Sequence, residues 1–216
     1  MKIAARVGCG ALIVALVGGM AWGGQGEGIG SVGGGIFLPS GSDADVAGIS
    51  PVLQLTAAIG FSKHLGAEAD FLYVPIQLKD DAMPGSAYNK SSQISATVGI
   101  RLSSGQLLVQ TNPAIGYLSL RGGFARIVTK SNSEIYDGEW IGRSVDELEN
   151  PGFGNFQTKS TQKGFVLSPK AGVLIRVSDR AAVDLCAYPM FIFAKGDVTR
   201  QFFITASFAL AAWQDL

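Results

Sequence analysis

The feature that most constrains the fold of this sequence is a repeated alternation of apolar with polar or small residues. In its clearest segment, residues 93–102, every even position is apolar and every odd position is polar or glycine. Successive side chains of a β-strand point to opposite faces, so this period of two predicts a strand with one apolar face. The same period, weaker in the glycine-rich first segment, recurs in residues 29–38, 53–61, 67–73, 118–124, 167–176, 183–187 and 202–210. The sequence therefore predicts eight strands.

Composition agrees with an all-β protein. Hydrophobic residues make up 47% of the 216 residues, only 16% are charged, and 29 are glycine. This chain is too apolar for a disordered protein and too rich in glycine for a helical bundle. Its 17 basic and 17 acidic residues leave no net charge, so nothing predicts a nucleic-acid partner.

The first residues have the features of an export signal. Lys2 and Arg6 precede the apolar stretch 11–17, and small residues follow it. That stretch is too short for a transmembrane helix, which needs about 20 residues. We expect a signal peptide of residues 1–23 and one domain of residues 24–216. Removal of Cys9 with the signal leaves Cys186 without a disulfide partner.

The eight strands predict an antiparallel up-and-down transmembrane β-barrel. Single-chain outer-membrane barrels have an even number of strands, each spanning the bilayer with about 9 to 11 residues. A sheet in lipid must close, because an unpaired edge leaves backbone groups unsatisfied. The alternative is a soluble, secreted barrel with its apolar face inward, as in lipocalins. The other face is rich in Ser, Thr, Gly and Ala, which favours a crowded lumen over a charged, water-exposed surface.

The lengths of the links between strands indicate an orientation. Short links are expected after strands two, four and six, at residues 62–65, 103–112 and 178–180. Longer links are expected after the odd-numbered strands, including residues 79–91, 128–162 and 194–199. Outer-membrane barrels have short periplasmic turns and longer external loops. We therefore expect the long links outside the cell.

With its signal, eight alternating strands, glycine-rich first strand and stretch 117–125, the chain resembles the OmpA and OmpX-type small outer-membrane barrels. The resemblance implies a monomer in the bacterial outer membrane. It also implies contact with outer-membrane lipid and lipopolysaccharide, and insertion by the outer-membrane assembly machinery.

Seven charged residues fall on the predicted inward face. They are Glu68, Asp70, Arg101, Arg121, Lys170, Arg176 and Asp184. Buried charges persist mainly when they are paired, so we expect these side chains to form a lumen charge network. The alternative is a gated path for ions or small solutes. An eight-stranded barrel is just wide enough for its own side chains, which argues against a general diffusion pore.

Residues for catalysis or metal binding are scarce. The single histidine, His64, falls in a predicted periplasmic turn, away from any substrate in the outer leaflet. Cys186 is expected to fill space in the lumen, and the glycines at 33–35 to allow close packing or bending of a strand. The sequence therefore predicts no catalytic residue, no metal site, no cofactor and no enzymatic activity, although some small barrels modify lipids.

The remaining functional candidate is the link at residues 128–162, which is long for a compact domain. It is acidic and carries aromatic residues. The candidate recognition residues are Tyr136, Trp140, Glu147, Phe153 and Phe156. We expect a structural or surface-interaction role, with external loops as the recognition surface for an unidentified ligand; a narrow or gated channel is the alternative.

Overall fold

The structure, a computed structural model, describes residues 27–40, 43–79, 88–106, 113–133, 156–194 and 197–213. Eight strands and one short helix occupy these ranges. In chain order they are β1 (Glu27–Ser40), α1 (Asp43–Val46), β2 (Ser50–Gly60), β3 (Leu65–Ile76), β4 (Tyr88–Ser103), β5 (Ala114–Ser133), β6 (Phe156–Arg176), β7 (Ala181–Ala194) and β8 (Asp197–Trp213). The predicted signal peptide lies outside the described residues.

Each strand pairs antiparallel with its neighbours in the sequence, and β1 pairs with β8 to close the barrel. The closing pair runs from Glu27 opposite Trp213 to Ser40 opposite Arg200. The predicted eight-stranded antiparallel up-and-down transmembrane barrel is confirmed. No helix among the residues that the structure describes is long and apolar enough to cross a membrane.

The two faces of the barrel wall have opposite character. Large apolar side chains point outward on all eight strands, and Val98 and Phe124 are 67% and 73% exposed. Polar side chains such as Gln54, Thr97 and Ser168 are buried inside. This inverts the usual pattern of a water-soluble protein and is the arrangement of a barrel with lipid outside. The rival barrel with an inward apolar face is therefore wrong.

The barrel has two ends, named here the turn end and the loop end. The turn end carries residues 61–64 and 177–180 together with the start of β1 and the end of β8. The loop end carries the links 41–49, 77–87, 134–155 and 195–196. In the turn after β2, the backbone N–H groups of Phe61 and Ser62 both donate to the carbonyl of Leu65.

The predicted link lengths need correction at the loop end. Residues 128–133 belong to β5 and residues 156–162 to β6, so the longest link is 134–155 and not 128–162. Residues 88–91 likewise belong to β4. The link after β7, expected at 194–199, is only 195–196. Long and short links therefore do not alternate strictly.

Glycine in β1 permits close contact with β8. A Cβ atom at Gly33 would collide with the backbone carbonyl of Ala206, and one at Gly35 with that of Ile204. Since any side chain would push the two strands apart at the closing seam, the prediction that these glycines allow close packing is confirmed.

Candidate functional site

The candidate site is a cluster of ionised side chains inside the barrel, set by strand alternation. Glu68 and Asp70 are two residues apart on β3, so both point into the lumen. The register places Arg101 of β4, Ser119 of β5 and Lys170 of β6 in one row across three strands. Arg121 lies two residues further along β5. All these side chains are buried.

Glu68 is the centre of this cluster. Its carboxylate accepts hydrogen bonds from Arg101 Nη1 at 3.2 Å, Lys170 Nζ at 3.0 Å and Ser119 Oγ at 3.3 Å. Arg121 Nη1 lies 3.8 Å from the same carboxylate. One buried anion is therefore shared by three cations.

Asp70 forms the second acidic position. Its carboxylate pairs with Arg121 and accepts a hydrogen bond from Thr56. Gln54 Nε2 donates to it at 2.9 Å, and Lys170 Nζ lies 3.5 Å away. Lys170 thus bridges both acids, so the two halves of the cluster form one network.

Two tyrosines extend the network. The hydroxyl of Tyr117 donates to the Asp184 carboxylate, at 2.8 Å from Oδ1, and its ring lies 3.7 Å below the Arg101 guanidinium. Arg121 similarly stacks 4.6 Å from the ring of Tyr188. A Cβ at Gly172 would enter the space that the Tyr117 ring occupies, so this glycine makes room for the ring.

The network also reaches the barrel wall at an interruption of the β6–β7 pairing. The register is the same on both sides of the interruption, which sets Pro169 opposite Pro189. Neither proline has a backbone N–H to donate to its neighbour. Ser168 Oγ instead donates to the Pro189 carbonyl at 2.9 Å, and Arg121 Nη2 donates to Ser168 Oγ at 2.9 Å. A side chain of the network thus replaces a missing hydrogen bond of the sheet.

Toward the loop end the lumen is closed by a polar pair and an apolar layer. Gln93 and Gln201 exchange amide hydrogen bonds of 2.9 and 2.8 Å across the lumen. The ring of Tyr188 stacks on that of Phe203 at 5.1 Å. The apolar layer consists of Phe37, Val74, Val166, Ile192 and Phe203, each at most 1% exposed.

Toward the turn end there is a small recess. It has a volume of about 30 Å³, enough for one or two water molecules. Glu27, Arg101 and Leu174 are among its lining residues. It brings solvent only to the edge of the charge network.

Five of the seven predicted inward charges meet in the network: Glu68, Asp70, Arg101, Arg121 and Lys170. Asp184 is linked to it through Tyr117. Arg176 is half-buried near the turn end, where its backbone N–H donates to the Pro113 carbonyl.

The predicted recognition residues Tyr136, Trp140, Glu147 and Phe153 lie outside the described residues. Phe156, expected in the same loop, is instead the first residue of β6.

His64 and Cys186, which were considered for catalysis or metal binding, contact neighbouring groups of the protein. His64 is exposed in the turn after β2, with Nδ1 3.0 Å from the Ser103 carbonyl. Cys186 is buried, with Sγ 2.9 Å from Thr205 Oγ1. Within the described ranges, no group of three or more His, Cys, Asp or Glu side chains could hold a metal ion.

The tyrosines and glutamines of the lumen are not among the residues predicted from the sequence. Alternation alone could have found Tyr117, which shares its face with Ser119 and Arg121, and Tyr188, which shares its face with Asp184. Gln93 and Gln201 also occupy inward positions, but their contact across the lumen has no sequence signal.

Comparison with solved structures identifies the fold. OprG from Pseudomonas aeruginosa is similar over 89% of this chain and 98% of its own, with 11% identity and a TM-score of 0.55. Neisserial surface protein A is similar over 87% of this chain and 97% of its own, with 13% identity and a TM-score of 0.52. No protein-family model and no curated protein sequence matches the chain. The chain has the fold of the small eight-stranded outer-membrane β-barrels, the class that its sequence resembles.

Proposed function

We propose that this chain is a monomeric protein of the bacterial outer membrane with a structural or surface-interaction role and no enzymatic activity. It is exported through the signal peptide and inserted by the outer-membrane assembly machinery. The observation that carries the proposal is the filled lumen, where buried ion pairs, the glutamine pair and the apolar layer leave little room for a solute. The links at the loop end are then the part of the protein that binds an external partner.

The link 134–155 is the strongest recognition candidate by composition. It contains six acidic residues and one basic residue, together with aromatic residues such as Tyr136 and Trp140. Aromatic side chains supply contact area at binding hot spots, and acids favour a basic partner or a divalent cation. A rigid barrel is a suitable scaffold for such a loop.

Replacing residues 134–155 by a Gly/Ser linker of equal length tests this role. The barrel should still fold and keep different electrophoretic mobilities before and after boiling, because β5 and β6 lie outside the replaced segment. Adhesion of bacteria carrying the variant to polylysine-coated surfaces and to cultured epithelial cells should fall. Unchanged adhesion to both would refute the recognition role, and failure to fold would show that the segment belongs to the barrel.

A narrow or gated channel is the second candidate, favoured by the contact between Gln93 and Gln201. These residues lie on β4 and β8, on opposite sides of the barrel, and neutral amides can separate at lower cost than buried ions. The filled lumen nevertheless predicts poor conductance in planar bilayers. A large, steady conductance from the purified monomer would favour the channel and count against the structural role.

A further inference from the structure

One section of the barrel wall is not paired by its backbone. The β6–β7 pairing stops after Leu167 opposite Phe191 and resumes at Ala171 opposite Ala187. The residues between these pairs, 168–170 and 188–190, form the interruption. Every other pair of neighbouring strands is continuous over the residues that the structure describes. The interruption is therefore the place where the wall can open with the least loss of backbone hydrogen bonds.

Two prolines account for the interruption. Ser168 Oγ donates to the Pro189 carbonyl, so this carbonyl points toward β6. Pro169 and Pro189 thus stand opposite each other at a position where antiparallel strands exchange two N–H···O bonds. Neither proline has an N–H to donate. The Ser168 hydroxyl supplies one of the two bonds, in place of the N–H of residue 169.

The side chains on the outer face at the interruption are small or cyclic. The outward positions are Pro169 and Ala171 on β6 and Ala187 and Pro189 on β7. Ala171 and Ala187 also line an open groove of about 650 Å³, which reaches Gly34 of β1. The hydrogen bond and the ring contact that join the two strands at this level therefore come from the lumen.

Arg121 contacts both strands of the interruption from the lumen. Its Nη2 donates to Ser168 Oγ of β6 at 2.9 Å, and its guanidinium lies 4.6 Å from the Tyr188 ring of β7. Asp70 pairs with the same guanidinium. The charge network thus fixes the hydroxyl that replaces the missing backbone bond.

We propose that the interruption is a section of the wall that opens locally, and that Ser168, held by Arg121, keeps it closed. Local openings of a folded protein occur where few hydrogen bonds must break, while the rest stays folded. Here β6 separates from β7 between two paired segments, which exposes inner side chains of β7 to the bilayer. The charge network then sets how often the wall opens. This motion goes beyond the structural role proposed for the filled barrel.

Cys186 can report the opening, because its thiol is buried on the inner face of β7, two residues from Tyr188. The full exported chain, folded in phosphatidylcholine vesicles, is treated with N-ethylmaleimide, a membrane-permeant reagent that alkylates accessible thiols. Modification is followed by mass spectrometry of the peptide that contains Cys186. Its rate follows the open population when opening and closing are fast relative to alkylation.

Ser168→Ala should raise the alkylation rate about fivefold, since the variant loses one hydrogen bond of ordinary strength. Arg121→Lys should raise it as well, because lysine keeps a charge beside Asp70 but lacks the guanidinium fork that also holds Ser168. Ser91→Ala is the matched control. The Ser91 hydroxyl also contacts a neighbouring strand, at Thr129, but backbone pairing is continuous there. The control should change the rate less than about twofold.

Pro169→Ala tests the missing bond directly. Alanine supplies a backbone N–H for the Pro189 carbonyl, the group that Ser168 binds. The single variant should be alkylated more slowly than the wild type, and in the Ser168→Ala chain the substitution should cancel the increase. Heat-modifiable mobility verifies that each variant is folded. If Ser168→Ala does not fold, the comparison of Pro169→Ala with the wild type decides.

Several results would overturn the proposal. Equal rates for the wild type and Ser168→Ala would do so, as would a Pro169→Ala chain that is alkylated as fast as the wild type. Folded chains that resist alkylation while the urea-unfolded chain is fully modified would show that the wall stays closed. A charged maleimide that does not enter the bilayer tests the route. Equal acceleration of both reagents by Ser168→Ala would show that the thiol is reached through the lumen, whereas acceleration of the permeant reagent alone supports opening of the wall.

Discussion

Replacing Glu68 by glutamine is expected to destabilise the folded barrel by about 3 to 5 kcal/mol. The substitution keeps the shape of the side chain but removes the charge that Arg101 and Lys170 contact. Both cations would remain buried with one carboxylate fewer, and an uncompensated buried charge is costly. The free energy of unfolding is measured by urea titration in lipid vesicles, with electrophoretic mobility as the readout of the folded state.

Because several cations share the Glu68 carboxylate, substitutions of those cations serve as controls for this prediction. Arg101→Gln should cost less than Glu68→Gln, because Glu68 keeps Lys170 as a partner in that variant. Adding Lys170→Met to Glu68→Gln should cost less than the sum of the two single substitutions, because the residues are in direct contact. A Glu68→Gln cost below about 1 kcal/mol, or strict additivity of the pair, would contradict a network centred on Glu68.

The strands were predictable wherever one face is apolar and the other polar. Residues 93–102 show this contrast at every position and lie within β4. The outer parts of β5 and β6 lack it, since residues 129–133 and 157–162 are polar on both faces. Hydrogen bonding between the two strands continues there without a hydrophobic period, as in the pairing of Thr129 with Ser160. The sequence therefore predicts a loop where the two strands continue.

The inward position of the charges was predictable, but their partners were not. Alternation sets Glu68 and Lys170 on the inner face independently of each other. Their contact depends on the register of every strand between β3 and β6 and on the curvature of the closed sheet. Alternation also predicts Asp184 on the inner face, among the ion pairs. The hydrogen bond that the Tyr117 hydroxyl donates to Asp184 has no signal in the sequence.

Replacing Val98 by arginine is expected to destabilise the barrel by about 2 to 4 kcal/mol in a lipid bilayer. Val98 is 67% exposed on the outer face of β4 and is central in the outward apolar run from Ile94 to Leu102. An arginine there must lose hydration or thin the bilayer around it. Unfolding in phosphatidylcholine vesicles measures the difference from the wild type.

The same substitution separates a lipid-facing wall from a water-facing one. On a water-exposed surface, a change at so exposed a position alters stability by no more than about 0.5 kcal/mol in either direction. Thr97→Ser is the adjacent control, because Thr97 is buried on the inner face and its hydroxyl is retained. It should be nearly silent. If Val98→Arg were equally silent in vesicles, the outer face of β4 would not be in contact with the hydrocarbon of the bilayer.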